Sequence, residues 1–156
     1  MALLPYTATT LRNFINRAEA LWFIVFDSSL SGRLITIGGN EYRQLPTRFN
    51  TRAKIFAFFR RYFGPSLSRI LLCNLRTLRY RGALYVPVGD PGPVPDRVVS
   101  LAVIRRTSSR IAVRAVLSGD PSGNVTILYT FAVIRGRLAI INRTRRQVDY
   151  RYQPCR

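Results

Sequence analysis

The stretch Gly82–Gly92, GALYVPVGDPG, continued by Pro93-Val94-Pro95-Asp96, divides the chain into two differently patterned halves. It reads as a short strand, Ala83 to Val88, running into a loop stiffened by Pro91, Pro93 and Pro95. Upstream of it the apolar residues repeat at helical spacing. Downstream, Val, Ile and Tyr recur in short runs between turn residues. The loop also carries two of only seven acidic residues in a chain with 25 Lys and Arg. Loops fixed on a rigid scaffold are frequent carriers of function.

Before this stretch, Leu11, Phe14, Ile15, Ala18, Leu21 and Trp22 share one helical face, predicting a helix that starts near Thr9 or Thr10 and ends at Ser28 to Gly32. Arg33 to Ile37 and Glu41 to Leu45 form a hairpin around Gly38-Gly39-Asn40. A second helix starts at Asn50 or Thr51, with Ile55, Phe58, Phe59 and Tyr62 as its stripe, and stops at Gly64-Pro65. Ser66 caps a third, on which Leu67, Ile70, Leu71 and Leu75 align. After a short strand near Arg76 to Tyr80, the strands expected are Ala83 to Val88, Val98 to Arg105, Arg110 to Leu117, Val125 to Ile134, Arg137 to Ile141 and Val148 to Tyr152, in one antiparallel meander. Within Arg110 to Leu117, residues Ile111, Val113, Ala115 and Leu117 point one way and Arg114 the other, giving the sheet one solvated face. Helices followed by strands define an α+β fold, with N-terminal helices packed on a C-terminal antiparallel multi-stranded sheet. One domain, 1–156, is expected, helix-rich over 1–75 and strand-rich over 76–152.

Composition narrows the chemistry. Apolar residues make up 47%, which excludes a disordered tail, and the longest apolar run, Ala20 to Phe26, is too short for an integral membrane segment. No basic n-region precedes Arg12, so the chain is read as cytoplasmic if complete as given, and as extracytoplasmic or cell-wall if a leader was trimmed. With no histidine, the commonest general base and the Ser/His and Cys/His pairs are missing, and two cysteines alone do not complete a zinc shell; no enzyme, metal or cofactor is expected. Neither phosphate-loop glycine pattern occurs. Cys73 and Cys155 form a disulfide in an oxidising compartment, or are a buried small residue and a free tail thiol in a reducing one.

The formal net charge of +18 supports a rival reading, an Arg-rich module for nucleic acid or another polyanion. Arg76, Arg79 and Arg81 flank Tyr80, and Arg143, Arg145, Arg146 and Arg151 lie beside Tyr150 and Tyr152, a mixture able to stack bases and neutralise phosphate. The same alternation is what a solvated strand face looks like, and no zinc-finger, RNP-type or helix-turn-helix pattern accompanies it. For Asp90 the plain alternative to partner contact is a side chain that bonds its own backbone to start the Pro91-Gly92 turn.

Four segments together resemble the IseA family of bacterial cell-wall DL-endopeptidase inhibitors: Glu41-Tyr42-Arg43-Gln44-Leu45, FNTRAKIFAFFRRYFGPSLSRILL at Phe49 to Leu72, GALYVPVGDPG, and VTILYTFAVIRGRLAIIN at Val125 to Asn142. The resemblance covers about residues 20 to 142 and implies a helical part with a multi-stranded sheet. It implies a non-catalytic protein that binds the catalytic cleft of a cysteine peptidase cutting peptidoglycan stem peptides. In that family the loop after the fourth strand is implicated in reaching the cleft. Here the corresponding residues are Gly89, Asp90, Pro91, Gly92, Pro93, Val94, Pro95, Asp96 and Arg97, with Asp90 and Asp96 as the foremost contact candidates.

Overall fold

A computed structural model describes residues 2–155. Helix α1, Ala8–Asp27, opens with the Thr7 side chain accepting the Thr10 N–H, and buries Leu11, Ile15, Ala18, Leu21, Trp22 and Val25. The hairpin β1 (Leu34–Ile37) and β2 (Asn40–Gln44) turns at Gly38-Gly39, both at positive φ. A 3-10 turn at Thr47–Phe49 leads to α2, Arg52–Phe59, capped by Thr51. Helix α3, Pro65–Cys73, is preceded by Gly64 as its cap. The expected cap at Ser66 is therefore displaced: Pro65 occupies the first turn, where its missing N–H costs nothing, and Leu75 follows the helix.

Among the described residues, eight strands form two antiparallel sheets. The first has the order β1-β2-β4-β3, where β3 is Leu78–Tyr80 and β4 is Ala83–Pro87. The second is a meander of β5 (Arg97–Arg106), β6 (Arg110–Asp120), β7 (Gly123–Ile134) and β8 (Arg137–Arg143). The α+β class is as expected, while two details of the single meander are corrected. Strand β4 belongs with the early hairpin, with Tyr85 opposite both Gln44 and Leu78. The three prolines that follow it have no N–H to give a ladder, so pairing cannot run on from β4 into β5. Val148 to Tyr152 is not a strand: Asp149 accepts the Arg151 N–H and winds Tyr150–Tyr152 into a 3-10 turn. In β6, Ile111, Val113, Ala115 and Leu117 are buried and Arg114 is exposed, as the alternation predicts.

The helices bond to the second sheet as well as packing on it. On β5, Val98 donates its N–H to the Asn16 side chain at 2.8 Å and accepts from Arg12 at 3.2 Å. Between α2 and α3, Gly64 N–H bonds the Ile140 carbonyl, and Ile140 N–H bonds the Tyr62 carbonyl, covering part of the β8 edge. One buried cluster runs from Leu11 and Ile15 through Phe49, Phe59 and Phe63 to Leu84, Val86, Ile127 and Phe131. It draws on α1, α2 and both sheets, so each half of the sequence covers apolar surface of the other. We propose on that ground that the chain folds as a single domain. Limited proteolysis near residues 76–82 should yield no folded fragment, and two separately folded halves would overturn this.

Cys73, at the end of α3, is disulfide-bonded to Cys155, with Cα atoms 5.9 Å apart. Asn74 adds hydrogen bonds of 2.9 Å to the carbonyls of Arg151 and Gln153. The bond spans 82 residues, and cross-linking a loop of that order stabilises a fold by roughly 2–4 kcal/mol. The Cys73→Ser/Cys155→Ser variant should therefore lose about that much in urea unfolding, and reductant should lower the melting temperature of the parent but not of the variant.

Candidate functional site

Glu19 lies on the apolar face of α1, four residues after Ile15, and is fully buried. Its Oε2 accepts hydrogen bonds from Arg143 Nη2 at 2.7 Å, Arg143 Nε at 3.1 Å and Tyr129 Oη at 2.9 Å, and its Oε1 accepts from Tyr152 Oη. Asp149, also buried, accepts from Arg151 Nε at 3.0 Å and Nη2 at 2.9 Å, and from Arg143 Nη2 at 3.3 Å. Two carboxylates and two guanidiniums thus balance in the core. Burial alone would raise the Glu19 carboxyl, but the charges of Arg143 and Arg151 and the bonds from Tyr152 and Arg143 hold it below the ordinary glutamate range. Burial drives the Tyr129 and Tyr152 hydroxyls well up, so both remain donors to Glu19.

This cluster holds the Gly89–Arg97 loop. Arg151 Nη2 also donates to the Pro95 carbonyl at 3.1 Å, and its Nη1 donates to the Glu19 carbonyl at 2.8 Å. Tyr150 Oη donates to the Gly92 carbonyl at 2.9 Å, and its ring packs 5.3 Å from that of Trp22, which stacks on Phe26. Burial, with the carboxylates of Asp149, Asp90 and Asp27, pushes the Tyr150 hydroxyl up to about 12, keeping it a donor. Asp90 Oδ1 accepts the Gly92 N–H at 2.9 Å, the turn-starting role foreseen for it. Asp96 N–H bonds the Ser118 carbonyl at 3.1 Å, joining the loop's far end to β6. Gly119, with φ of +108°, completes the seat: a Cβ there would stand 2.7 Å from Asp96 Oδ1 and collide with the Val94 carbonyl.

The nine loop residues therefore divide by role. Val94 and Pro95 face inward and anchor the loop, and Pro91 and Gly92 are half-buried. Gly89, Asp90, Pro93, Asp96 and Arg97 are exposed. Asp90 and Asp96 border one hollow of about 350 Å³ walled by Phe23 and Gly119. Burial raises the Asp96 carboxyl, against the lowering charge of Arg151. The placement of acids on the rest of the surface is uneven. Of the seven carboxylates, Glu19, Asp120 and Asp149 are buried, leaving Asp27, Glu41, Asp90 and Asp96 exposed. Asp27 and Asp90 both act on Tyr150, and the Glu41 carbonyl accepts the Val88 N–H at the loop's entry. Three of the four exposed acids, Asp27, Asp90 and Asp96, thus lie at or near this loop.

Two arginines of the nucleic-acid reading are corrected by their burial. Arg143 and Arg151 have side chains with no exposed surface and are spent on Glu19 and Asp149, and Tyr152 is buried with them. They are unable to reach phosphate. The exposed arginines are spread over α1, α2, α3 and the strands of both sheets. Sequence reasoning missed Glu19, Tyr150 and Arg151 as positioning residues. The available signal was a carboxylate on an apolar helix stripe, which requires a buried cation elsewhere.

Stiff loops exposed at the tip and anchored to a rigid core from behind occur in proteins of several kinds, binding and catalytic alike. The family comparison gives the particular kind: the model of the IseA DL-endopeptidase inhibitor family matches residues 8–117, from the start of α1 into β6, and the chain belongs to that family. It is an inhibitor of cell-wall DL-endopeptidases, and inhibitors of this family are non-catalytic. Comparison with curated proteins gives no match. Among the described residues no helix is long and apolar enough to cross a membrane.

The Glu19 cluster predicts a distinctive acid response. Because the folded carboxyl titrates below its ordinary value of about 4.5, its contribution to stability is complete above that pH and is lost as pH falls through the lowered value. Glu19→Gln should cost about 3–5 kcal/mol at pH 7, since it strands buried guanidinium charge. In urea unfolding followed against pH, the variant should also lose part of the parent's decline below pH 4.5.

Proposed function

We propose that the protein inhibits its target, a cell-wall DL-endopeptidase of the cysteine peptidase class, by seating the Gly89–Arg97 loop in the catalytic cleft and excluding substrate. The observation that carries this reading is the loop's anchorage from behind. Bonds from Tyr150, Arg151 and Ser118 fix its backbone while Asp90, Pro93 and Asp96 stay exposed. A loop already ordered in the free protein surrenders little conformational entropy on docking. Asp90 and Asp96 present acceptors to donors lining the cleft, and in a positively charged cleft they also steer the encounter. The exposed acids Asp27, Asp90 and Asp96, at or near the loop, strengthen that steering on a chain of formal net charge +18.

The place of action proposed is outside the cytoplasm. Inhibitors of this family act on cell-wall hydrolases, and the Cys73–Cys155 bond is of the kind that persists in oxidising compartments.

Asparagine keeps the Asp90 acceptor for the Gly92 N–H while removing its charge. The Asp90→Asn/Asp96→Asn variant should therefore weaken inhibition of a purified DL-endopeptidase at least about tenfold, or 1.4 kcal/mol. Its fold should hold. Since the Asp96 carboxyl is raised in the folded state, ionising it above that value opposes folding, and Asp96→Asn should slightly raise the melting temperature at pH 7. Unchanged inhibition by the double variant would rule out charge contacts through this loop.

A further inference from the structure

A second concave site lies along the N-terminal half of α1, away from the loop. It is a cleft of about 490 Å³ enclosed by α1, the segment joining α2 to α3, and the start of β8. Each of these elements contributes one arginine: Arg17, Arg61 and Arg137. Phe14 and Tyr62 supply aromatic rings 4.7 Å apart, and Asn13 supplies a neutral amide. No carboxylate lines the cleft. Among the described residues none of the three guanidiniums makes a hydrogen bond or ion pair, although Arg61 lies 5.6 Å from the Phe58 ring centroid.

Arginines with no internal partner, converging from separate elements on a concavity without acids, constitute an anion site. The number of guanidiniums selects the anion. One guanidinium already satisfies the two oxygens of a planar carboxylate in a fork, whereas a phosphate monoester presents three terminal oxygens around a tetrahedral centre. The rings of Phe14 and Tyr62 offer apolar surface for the carbon skeleton attached to such a phosphate.

We infer that this cleft binds a phosphate monoester, with Arg17, Arg61 and Arg137 on the phosphate oxygens and Phe14 and Tyr62 against the carbon skeleton it carries. The site is independent of the peptidase-docking loop. Arg17 and Phe23, which border the two sites, are six residues apart on α1, roughly 9 Å along its axis. A bound phosphate ester therefore leaves the loop free. A phosphodiester, with two terminal oxygens and a single charge, matches three guanidiniums less well, so a phosphodiester-linked polyol polymer serves as the contrasting ligand.

The test is calorimetric titration of the full chain with glucose 1-phosphate, glycerol 3-phosphate and poly(glycerol phosphate), using citrate as carboxylate control and a random-sequence oligonucleotide as polyanion control. The Arg17→Gln/Arg61→Gln/Arg137→Gln variant is compared with Arg81→Gln/Arg105→Gln/Arg114→Gln, which removes equal charge from exposed positions outside the cleft. Saturable binding of the phosphate esters, weakened at least tenfold in the first variant and less than twofold in the second, is the expected result. Poly(glycerol phosphate) should bind more weakly per phosphate than glycerol 3-phosphate, and equal or tighter binding per phosphate would overturn the monoester assignment. Citrate or oligonucleotide binding as tightly as the phosphate esters, equal losses in both variants, or no saturable binding would overturn the inference. Circular dichroism of both variants verifies the fold, and single Arg→Gln changes replace the triple variant if it unfolds.

Discussion

A carboxylate in the middle of an apolar helix face is the constraint to which the rest of this molecule answers. Taking Glu19 out of water costs several kcal/mol, and only a fixed, fully hydrogen-bonded counter-charge offsets that. The chain supplies Arg143 from the end of β8 and Arg151 from the 3-10 turn, with Tyr129 and Tyr152 filling the remaining acceptor sites. Asp149 then balances the second guanidinium. A hydrophobic cluster of similar volume would hold the helix to the sheet as firmly. What the ionic arrangement adds is direction, because hydrogen bonds accept only one placement of the turn that carries Tyr150 and Arg151.

That placement is transmitted to the loop. Arg151 bonds to Glu19, Asp149 and the Pro95 carbonyl, so the core cluster and the loop share a side chain. Tyr150 repeats the linkage at Gly92, resting on Trp22 of the same helix. The loop therefore has two kinds of stiffness: prolines that narrow its own torsions, and anchors that fix it relative to α1. Charge follows the same division, with three of the seven acids consumed inside and three of the four exposed ones at or near the loop. The segment proposed to meet the peptidase is thereby set apart from a basic body without any change in backbone architecture.

Local pattern made most elements readable in the sequence. The stripe Leu11, Ile15, Ala18, Leu21 and Trp22 is buried as its spacing requires, Thr51 caps α2, and the alternation from Ile111 to Leu117 faces the core. The four strands counted before Gly89 are the four of the first sheet, and for that reason the loop could be found by counting. Partner choice between strands is non-local, and there the pattern failed: Ala83–Pro87 has the same β propensity whether it joins the hairpin before it or the meander after it. Tyr150-Arg151-Tyr152 misled for a related reason. Alternating aromatic and basic residues read as a half-solvated strand until the buried acid that draws Arg151 inward is known, and Glu19 stands 132 residues earlier in the chain.

Sequence order gives the Glu19 cluster a meaning in time. As the chain emerges from its amino end, α1 appears early with a carboxylate that has nothing to neutralise it, and the guanidiniums it needs follow 124 and 132 residues later. Helix, hairpin and even the first strands of the meander can form before then, but closing the core over Glu19 would bury a lone charge. The same late segment carries Cys155, whose partner Cys73 has waited 82 residues. The charge-balanced core over Glu19 thus requires the carboxy-terminal segment, and tail docking and disulfide pairing draw on that same late-made stretch. The loop's anchors Tyr150 and Arg151 lie there too, so a chain that ends short of them lacks the bonds that hold Gly92 and Pro95.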